Sequence, residues 1–350
     1  MHDRLLSALE SLTEVRLVAA LRDDRLGFPD PKDLRVFIPD IHLITARRQQ
    51  AGSFKFGTNR EDLLVEVFTT LRRLKRDAAA TETVVTYLMG DFLDLWRETP
   101  ALDQRLDAAA AIRDDHEDLV AAVLDPALRT RFLLGNHDFD LYRWPDYVGW
   151  DRRYFLPDRT LEAPSAIVMH GDALDWIEKL PKAPRQILVY LFAPHLSPNS
   201  HDLGEMGRLV ARSHGSRNYR NYLQAPTPSA LGLAPRLAPG TPVPDRHNVA
   251  TSTAGPKPRL THLSTAWKAT ARANDEYQMS LRVMLIGHTH AARIAVRETD
   301  AGEFFALVDC GAWIEHCSWT EAGQAFTAPS AQLAAMSHNE VRIYQLGETT

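Results

Sequence analysis

The sequence predicts an α/β layered fold, because short buried strands alternate with segments that have the apolar spacing of helices. The strands are recognised as short aliphatic or β-branched runs that end abruptly in Gly, Asp, Asn or His, where a chain leaves a sheet. Strands are predicted at 34–39, 83–89, 131–134, 166–169, 283–286, 294–297, 304–308 and 341–344, and helices at 4–22, 61–77, 103–124 and 262–280. The strands from 294 onward are expected to be antiparallel.

Size and composition limit the kind of protein. The chain has 350 residues, of which 45% are hydrophobic, enough for one large domain with an insertion or for two domains. A formal net charge of −5 excludes a strongly basic nucleic-acid binder, but leaves room for a local basic patch. Residues 1–15 lack the apolar core of a secretory signal, and no apolar run reaches the ~18 residues of a membrane span. Cys310 and Cys317 match no zinc or disulfide pattern, so a cytoplasmic protein with reduced thiols is expected.

Residues 181–280 differ in character from the rest of the chain. The apolar run 187–192 fits a helix or a strand, and residues 225–258 contain so many prolines that a regular helix or central strand is excluded there. We therefore expect a partly irregular, Pro-rich insertion that ends in a helix. The sequence leaves open whether this insertion is an ordered cap or a mobile loop.

Side chains that commonly bind metals follow several of the predicted strands. Each group alone has an ordinary explanation, such as a turn carboxylate or a hydrogen-bonded histidine, but independent turns need not all choose Asp, Asn and His. Residues in such loops lie at the edge where open α/β sheets bind their ligands. The candidates are Asp40 and His42, Asp91, Asn136 and His137, His170, and His288 and His290.

Carboxylate, amide and imidazole groups together favour divalent cations such as Mn, Fe or Zn over calcium, which prefers oxygen ligands alone. The candidate ligands are too numerous for one ion, so two ions that share a carboxylate are expected. Two metals ~3.5–4 Å apart are a standard device for in-line displacement at phosphorus, because they hold phosphate oxygens and lower the pKa of water to near neutrality. A neighbouring imidazole could then neutralise or protonate the leaving group.

Five motifs occur in the order DIH (40–42), GDFLD (90–94), GNHD (135–138), HGD (170–172) and GHTH (287–290). In this set and order the sequence resembles the calcineurin-like metallophosphoesterase superfamily, from about residue 34 to about residue 312 apart from the insertion. The resemblance implies an α/β (α+β) fold, a four-layer αββα sandwich of two mixed β-sheets flanked by helices, with a dinuclear centre at the sheet edge. It also implies a catalytic domain at 1–180 and 281–350, with the 181–280 insertion in the position of a cap.

The resemblance assigns a role to each matched residue. Asp91 is expected to bridge two metal ions. His137 is expected over the leaving group as a proton donor or transition-state stabiliser, with Asp94 orienting it. The expected ligands of one ion are Asp40, His42, Asp91 and His290, and those of the other are Asp91, Asn136, His170 and His288.

The motifs also bear on the branch of the superfamily. GDFLDLW (90–96) and GNHD differ from the GDYVDRG and GNHE of the protein serine/threonine phosphatases. They are similar, with DIHL (40–43) and HGD, to the UDP-2,3-diacylglucosamine hydrolase branch, which cleaves a pyrophosphate on a lipid A precursor. Members of that branch commonly carry Arg where this chain has His137, and their segment before GHTH is shorter. The resemblance therefore implies hydrolysis of a phosphomonoester, phosphodiester or pyrophosphate bond.

A small phosphoester or nucleotide-like molecule is the expected substrate. Arg97, Arg143 and Arg293 follow three of the motifs and are candidates for binding the rest of it, although each also fits an ordinary surface charge. One alternative is a nuclease of the same superfamily, which the acidic net charge disfavours. Another is a catalytically inactive scaffold with the same fold, which should have lost ligands. There is no strong sign of a nucleic-acid partner, and the oligomeric state is left open.

Overall fold

The computed structural model describes residues 1–26, 32–47, 58–79, 82–98, 104–138, 141, 153–157, 164–172, 260–277, 279–290, 292–314, 317–320, 323–326 and 331–347. The helices in this part of the chain are α1 (His2–Glu10), α2 (Thr58–Arg76), α3 (Leu95–Glu98), α4 (Arg105–Asp115), α5 (Glu117–Val123) and α6 (Leu260–Tyr277). The strands are β1 (Val15–Arg22), β2 (Asp33–Ile38), β3 (Thr83–Leu88), β4 (Arg131–Phe132), β5 (Arg153–Pro157), β6 (Pro164–Met169), β7 (Val283–Ile286), β8 (Arg293–Glu298), β9 (Phe304–Asp309), β10 (Cys317–Thr320), β11 (Gly323–Phe326), β12 (Gln332–Ser337) and β13 (Glu340–Leu346).

The first sheet has the strand order β1-β13-β12-β2-β3-β4. One half is parallel, since β2 pairs with β3 and β3 with β4 in the same direction. The other half is antiparallel, because β12 runs against β2 and is followed by β13 and β1. The sheet is therefore mixed, and the carboxyl ends of β2, β3 and β4 lie at one edge.

The second sheet has the strand order β5-β6-β7-β9-β8. Its centre is parallel, formed by β6, β7 and β9, and the outer strands β5 and β8 pair antiparallel with it. The carboxyl ends of β6, β7 and β9 again share one edge. A separate antiparallel pair is formed by β10 and β11.

Buried apolar side chains divide the molecule into layers. Phe68 of α2 and Ile112 of α4 pack on the outer face of the first sheet. Phe37 and Val308 belong to the apolar layer between the two sheets. On the outer face of the second sheet, Leu263 of α6 completes the packing. The fold is thus a sandwich of two mixed sheets flanked by helices, as the sequence predicted.

The predicted helix 4–22 is wrong in its second half. The helix α1 ends at Glu10, and the chain continues as strand β1, which pairs with β13. A register irregularity between Leu17 and Ala19 interrupts the alternation of β1. The apolar residues of β1 therefore do not alternate regularly with polar ones, and pairing with β13 decides its conformation.

Other predicted elements agree in position but not always in length. The predicted helix 103–124 is two helices, α4 and α5, because His116 leaves the helical region with φ −126° and ψ 39°. Sequence reasoning missed β5, β10, β11 and β12, which are short or carry few β-branched residues. Strands are present at the positions expected after residue 294, but β9 pairs parallel with β7 and antiparallel only with β8, and β13 belongs to the first sheet.

Residues 181–259 of the predicted insertion lie outside the described residues, including the run 187–192 and the Pro-rich stretch 225–258. The end of the predicted insertion is described and forms α6, which packs on the second sheet. The domain boundaries and the cap therefore stay predictions. Among the helices of the described ranges, none combines the length and apolar character required to cross a membrane.

Candidate metal centre

The predicted ligands lie where the carboxyl edges of the two sheets meet. Backbone contacts join the edges: the amide of His288, after β7, donates to Oδ2 of Asp40, after β2, over 2.7 Å, although the two are 248 residues apart. Within the second sheet, the amide of Gly287 donates to the carbonyl of His170 at 2.8 Å. Parallel strands of both sheets point their carboxyl ends at this place, so the fold brings the five motifs together.

One group of possible ligands consists of Asp40, His42 and His290, all buried. Nε2 of His290 lies 3.1 Å from Oδ2 of Asp40 and 3.1 Å from Nε2 of His42. Nε2 of His42 lies 3.9 Å from the same Asp40 oxygen. Three donor atoms that converge in this way could hold one cation.

A second group consists of Asp91, His170 and His288. Nε2 of His170 lies 3.1 Å from Oδ2 of Asp91, 3.2 Å from Nδ1 of His288 and 3.1 Å from Oδ1 of Asn136. The predicted second set of ligands is therefore also assembled in one place.

Asp91 links the two groups. Besides its contact with His170, its Oδ2 lies 3.6 Å from Nε2 of His42. Its other oxygen, Oδ1, accepts the backbone N–H of His137 at 2.9 Å, which fixes the carboxylate. Asp91 is only 1% exposed, so its charge must be compensated inside the protein. Its position between the groups is what a shared ligand requires.

His137 and Asp94 lie beside the first group. Nδ1 of His137 contacts Oδ1 of Asp94 at 2.6 Å, and Nδ1 of His42 contacts Oδ2 of the same carboxylate at 3.1 Å. The rings of His137 and His42 meet edge to face, with centroids 4.8 Å apart. Asp94 is fully buried, and it orients two imidazoles at once.

The backbone at the site is unusual. His42, Asp91, His288 and His290 have φ values of 54°, 50°, 68° and 56°. This left-handed region is uncommon for residues other than glycine and costs of order 1–3 kcal/mol for a residue held in it. Strain of this kind persists only where surrounding contacts over-determine the loop, so the ligand loops are built for a particular geometry.

Two glycines allow the loops after β3 and β4 to approach each other. Gly90 has φ +98°, and a Cβ on it would lie 2.7 Å from the amide nitrogen of Gly135. A Cβ on Gly135 would in turn overlap a carboxylate oxygen of Asp91. The two loops therefore need residues without side chains at these positions.

The donor atoms fit a cation better than they fit protein hydrogen bonds alone. Nδ1 of His170 donates to the carbonyl of Met89 at 3.0 Å, so in the neutral ring Nε2 carries a lone pair. That lone pair faces the oxygens of Asp91 and Asn136 at 3.1 Å, and acceptors alone repel one another. In addition, Oδ1 of Asp40 is buried and has no hydrogen bond within the described ranges. A positive charge among these atoms resolves both problems.

The pKa values of His42 and His170 also fit a cation at this site. Burial lowers the pKa of His42 to about 4, which outweighs the opposing effects of Asp94 and Asp91. This ring is therefore neutral at pH 7 and able to act as a ligand. Burial also lowers the pKa of His170, but the carboxylates of Asp91 and Asp40 outweigh it and raise the pKa well above the usual value. Without a metal, a proton on His170 takes the place of the cation.

Carboxylates outside the predicted ligand set hold the ligand loops, and sequence reasoning missed Asp309 among them. Asp138 is fully buried and accepts the amides of Phe92 at 2.9 Å and Gly135 at 2.7 Å, which joins the loops after β3 and β4. Asp309 ends β9 and accepts the hydroxyl of Thr289. The sequence did carry a signal for Asp309. This residue directly follows the predicted strand 304–308, so it lies at a strand end as the candidate ligands do.

The arginines predicted to bind substrate are only partly described. Arg143 and the side chain of Arg97 lie outside the described part of the structure. The side chain of Arg293 is 11% exposed, with Nε 3.7 Å from Oδ2 of Asp309. A role of these residues in substrate binding stays a prediction.

Comparisons with known proteins give little further identification. No family model matches the sequence, and no curated protein matches it. Among the solved structures that match is the crystal structure of a dimetal phosphatase from Danio rerio. It is 14% identical, the alignment covers 89% of this chain and 96% of that chain, and the TM-score is 0.34. Similarity this low establishes neither fold nor activity, so the fold rests on the strand pairings and the site on its side-chain geometry.

Proposed function

We propose that the protein is a dinuclear metal-dependent phosphoesterase of the calcineurin-like superfamily. The observation that carries the proposal is the position of Asp91 between two groups of buried ligands, with His137 beside them. An inactive scaffold would not be expected to keep every predicted ligand in one place. It would also not need the left-handed backbone at four of them.

In this proposal one cation is held by Asp40, His42, Asp91 and His290, and the other by Asp91, Asn136, His170 and His288. A pair of divalent cations, when bound, clamps phosphate oxygens and makes hydroxide available near neutral pH. The imidazole and carboxylate donors suit Mn, Fe or Zn. Hydrogen bonds from the ligands to other groups set their orientation: Met89 fixes Nδ1 of His170, and Asp94 fixes Nδ1 of His42.

His137 is proposed to serve the leaving group. Asp94 holds Nδ1 of His137, so proton exchange with a leaving oxygen takes place at Nε2. In its protonated form, the ring can neutralise or protonate the departing oxygen. His137 is 7% exposed, so bulk water has little access to compete for this proton.

The bond that is cleaved is proposed to be a phosphodiester, a phosphomonoester or a pyrophosphate. A pyrophosphate hydrolase of the UDP-2,3-diacylglucosamine type and a nuclease are narrower alternatives within the same chemistry. Both depend on groups that bind the rest of the substrate, and the insertion and the loop after GNHD lie outside the described residues. Among these readings, the net charge of −5 favours a small substrate over a long nucleic acid.

The proposal is tested with the Asp91→Asn variant. The wild-type protein, freed of metal and reloaded with Mn²⁺, should bind two equivalents and hydrolyse bis(p-nitrophenyl) phosphate or p-nitrophenyl phosphate. The variant should lose both properties together, because one carboxylate serves both groups of ligands. Metal content is measured by mass spectrometry and activity by release of nitrophenolate.

The matched control is Asp118→Asn, which removes an exposed carboxylate on α5 and should leave metal content and rate unchanged. If Asp91→Asn kept its metals and its rate, the dinuclear proposal would be wrong. A wild-type protein that binds two metals but hydrolyses no phosphoester would favour the inactive scaffold.

A further inference from the structure

The loop 287–290 supplies one histidine to each group of ligands. His288 faces Asp91 and His170, and His290 faces Asp40 and His42. Both histidines have left-handed backbone, with φ 68° and 56°. A small change in this loop would therefore displace a ligand of each metal, and something has to hold the loop in its strained form.

Most contacts that hold this loop involve the ligands themselves. The amide of Gly287 binds the carbonyl of His170 at 2.8 Å, and the amide of His288 binds Asp40 at 2.7 Å. The side chain of Thr289, between the two histidines, makes a different contact, since its hydroxyl donates to Oδ2 of Asp309. This contact ties the loop to a residue that belongs to neither group of ligands.

Asp309 is well placed to act as a fixed anchor. It is fully buried and is the last residue of β9, where it lies opposite Ile286 of β7 and Arg293 of β8. The guanidinium of Arg293 lies 3.7 Å from Oδ2 of Asp309 and compensates part of its charge. The Thr289 hydroxyl and Arg293 both lie at Oδ2 of Asp309 and compensate part of the cost of burying this carboxylate.

We propose that Asp309 is a positioning residue that holds the loop of His288 and His290 through the hydroxyl of Thr289. The guanidinium of Arg293, near the same oxygen of Asp309, helps to keep the carboxylate in place. The inference rests on the proposed function, because it assumes that the two histidines bind metals. The inference adds Asp309 as a residue that would affect both metal sites without being a ligand of either.

The test compares Thr289→Val with Thr289→Ser. Valine has nearly the shape of threonine but lacks the hydroxyl, whereas serine keeps the hydroxyl. Loss of a group that orients metal ligands typically costs about 10–100-fold in metal affinity. We therefore expect Thr289→Val to raise the Kd for Mn²⁺ at both sites by about 10–100-fold, and Thr289→Ser to stay near wild type. Kd is measured by equilibrium dialysis, and the magnetic coupling of the bound Mn²⁺ pair by electron paramagnetic resonance.

A second variant, Asp309→Asn, replaces the carboxyl group of the anchor by an amide and should also weaken both sites. Circular dichroism confirms that each variant is folded. An unchanged Kd and unchanged spectrum in Thr289→Val would overturn the inference, and so would a Thr289→Ser variant as weak as Thr289→Val. If instead the wild-type protein bound no metal pair, the proposed function itself would fail, and the inference with it.

Discussion

The Asp94→Asn variant separates the roles that the structure gives to one carboxylate. Oδ1 of Asp94 accepts from Nδ1 of His137 at 2.6 Å, and Oδ2 from Nδ1 of His42 at 3.1 Å. Asparagine keeps the shape of the side chain, but it has only one oxygen. Its NH₂ group must face one of the two ring N–H groups, so one of the hydrogen bonds is lost.

The size of the effect follows from that hydrogen bond. A hydrogen bond to a charged group contributes about 1.5–3 kcal/mol, and 1.36 kcal/mol corresponds to a tenfold change in rate or affinity. We therefore expect a loss of roughly 10–150-fold. If the amide oxygen stays with His42, the loss is in kcat. If it stays with His137, the loss is in metal affinity, because His42 is no longer oriented.

The assay measures kcat with bis(p-nitrophenyl) phosphate at saturating Mn²⁺, and Kd for Mn²⁺ separately. Asp94→Ala removes both hydrogen bonds and should reduce kcat and metal affinity together. Asp300→Asn, at an exposed turn between β8 and β9, is the control and should change neither. An Asp94→Asn protein with wild-type kcat and wild-type Kd would refute the double role of Asp94.

Three further predictions concern residues at and away from the site. His137→Ala should retain its metals but lower kcat by about 10²–10⁴-fold, as measured under saturating metal, because it removes the leaving-group acid. Gly287→Ala places a Cβ against the buried carboxylate of Asp40 and should lower the free energy of unfolding by about 1–3 kcal/mol and weaken Mn²⁺ binding. Burial lowers the pKa of His116, but its contacts with Glu61 outweigh this and raise it above 6.5. The contact between His116 and Glu61 therefore contributes fully to the free energy of unfolding below pH 6.5, and this contribution is lost as pH rises through the higher folded pKa. Urea unfolding should accordingly show a larger difference in the free energy of unfolding between wild type and His116→Gln at pH 6 than at pH 9.

Controls separate these effects from simple loss of stability. Gly302 lies in a surface turn with φ +81° and open space around it, so Gly302→Ala should be destabilised by backbone strain yet bind Mn²⁺ normally. If Gly302→Ala lost its metal as well, the effect of Gly287→Ala would not be local. Loss of metal in His137→Ala would contradict its role as a group outside the two ligand sets. An equal stability difference for His116→Gln at both pH values would show that His116 does not titrate above pH 6.5.

The strands at the centres of both sheets could be predicted from the sequence, because they are short continuous apolar runs with polar ends. Among the antiparallel additions, β8 and β13 were expected, but β1 and β12 were not. The strand β12 contains three small residues, Ala334, Ala335 and Ser337, and its conformation depends on pairing with β2 and β13 rather than on local propensity. The edge strand β1 was mistaken for a helix for the same reason, since its alternation is broken at Leu17.

The convergence of the candidate ligands could be predicted because metal chemistry restricts the residue types, and strand ends restrict their positions. The contacts between these residues could not, because they join segments distant in the chain. Asp94 was expected to orient His137, but its second contact with His42 depends on how the loops after β2 and β3 pack together. The contact between Thr289 and Asp309 likewise requires β7 and β9 to be neighbours, which no local pattern indicates.

The strained backbone and the buried acceptor atoms occur at the same site, and this has a consequence for stability. Four proposed ligands hold left-handed φ values, each costing of order 1–3 kcal/mol. Their donor atoms also converge without enough hydrogens to satisfy them. A fold with stability of about 5–15 kcal/mol tolerates this only if other contacts fix the loops before a metal arrives. Asp138, which joins the loops after β3 and β4, and Asp309, which holds the loop after β7, provide such contacts without being ligands. Residues outside the ligand set therefore preorganise the site, and metal binding need not order it.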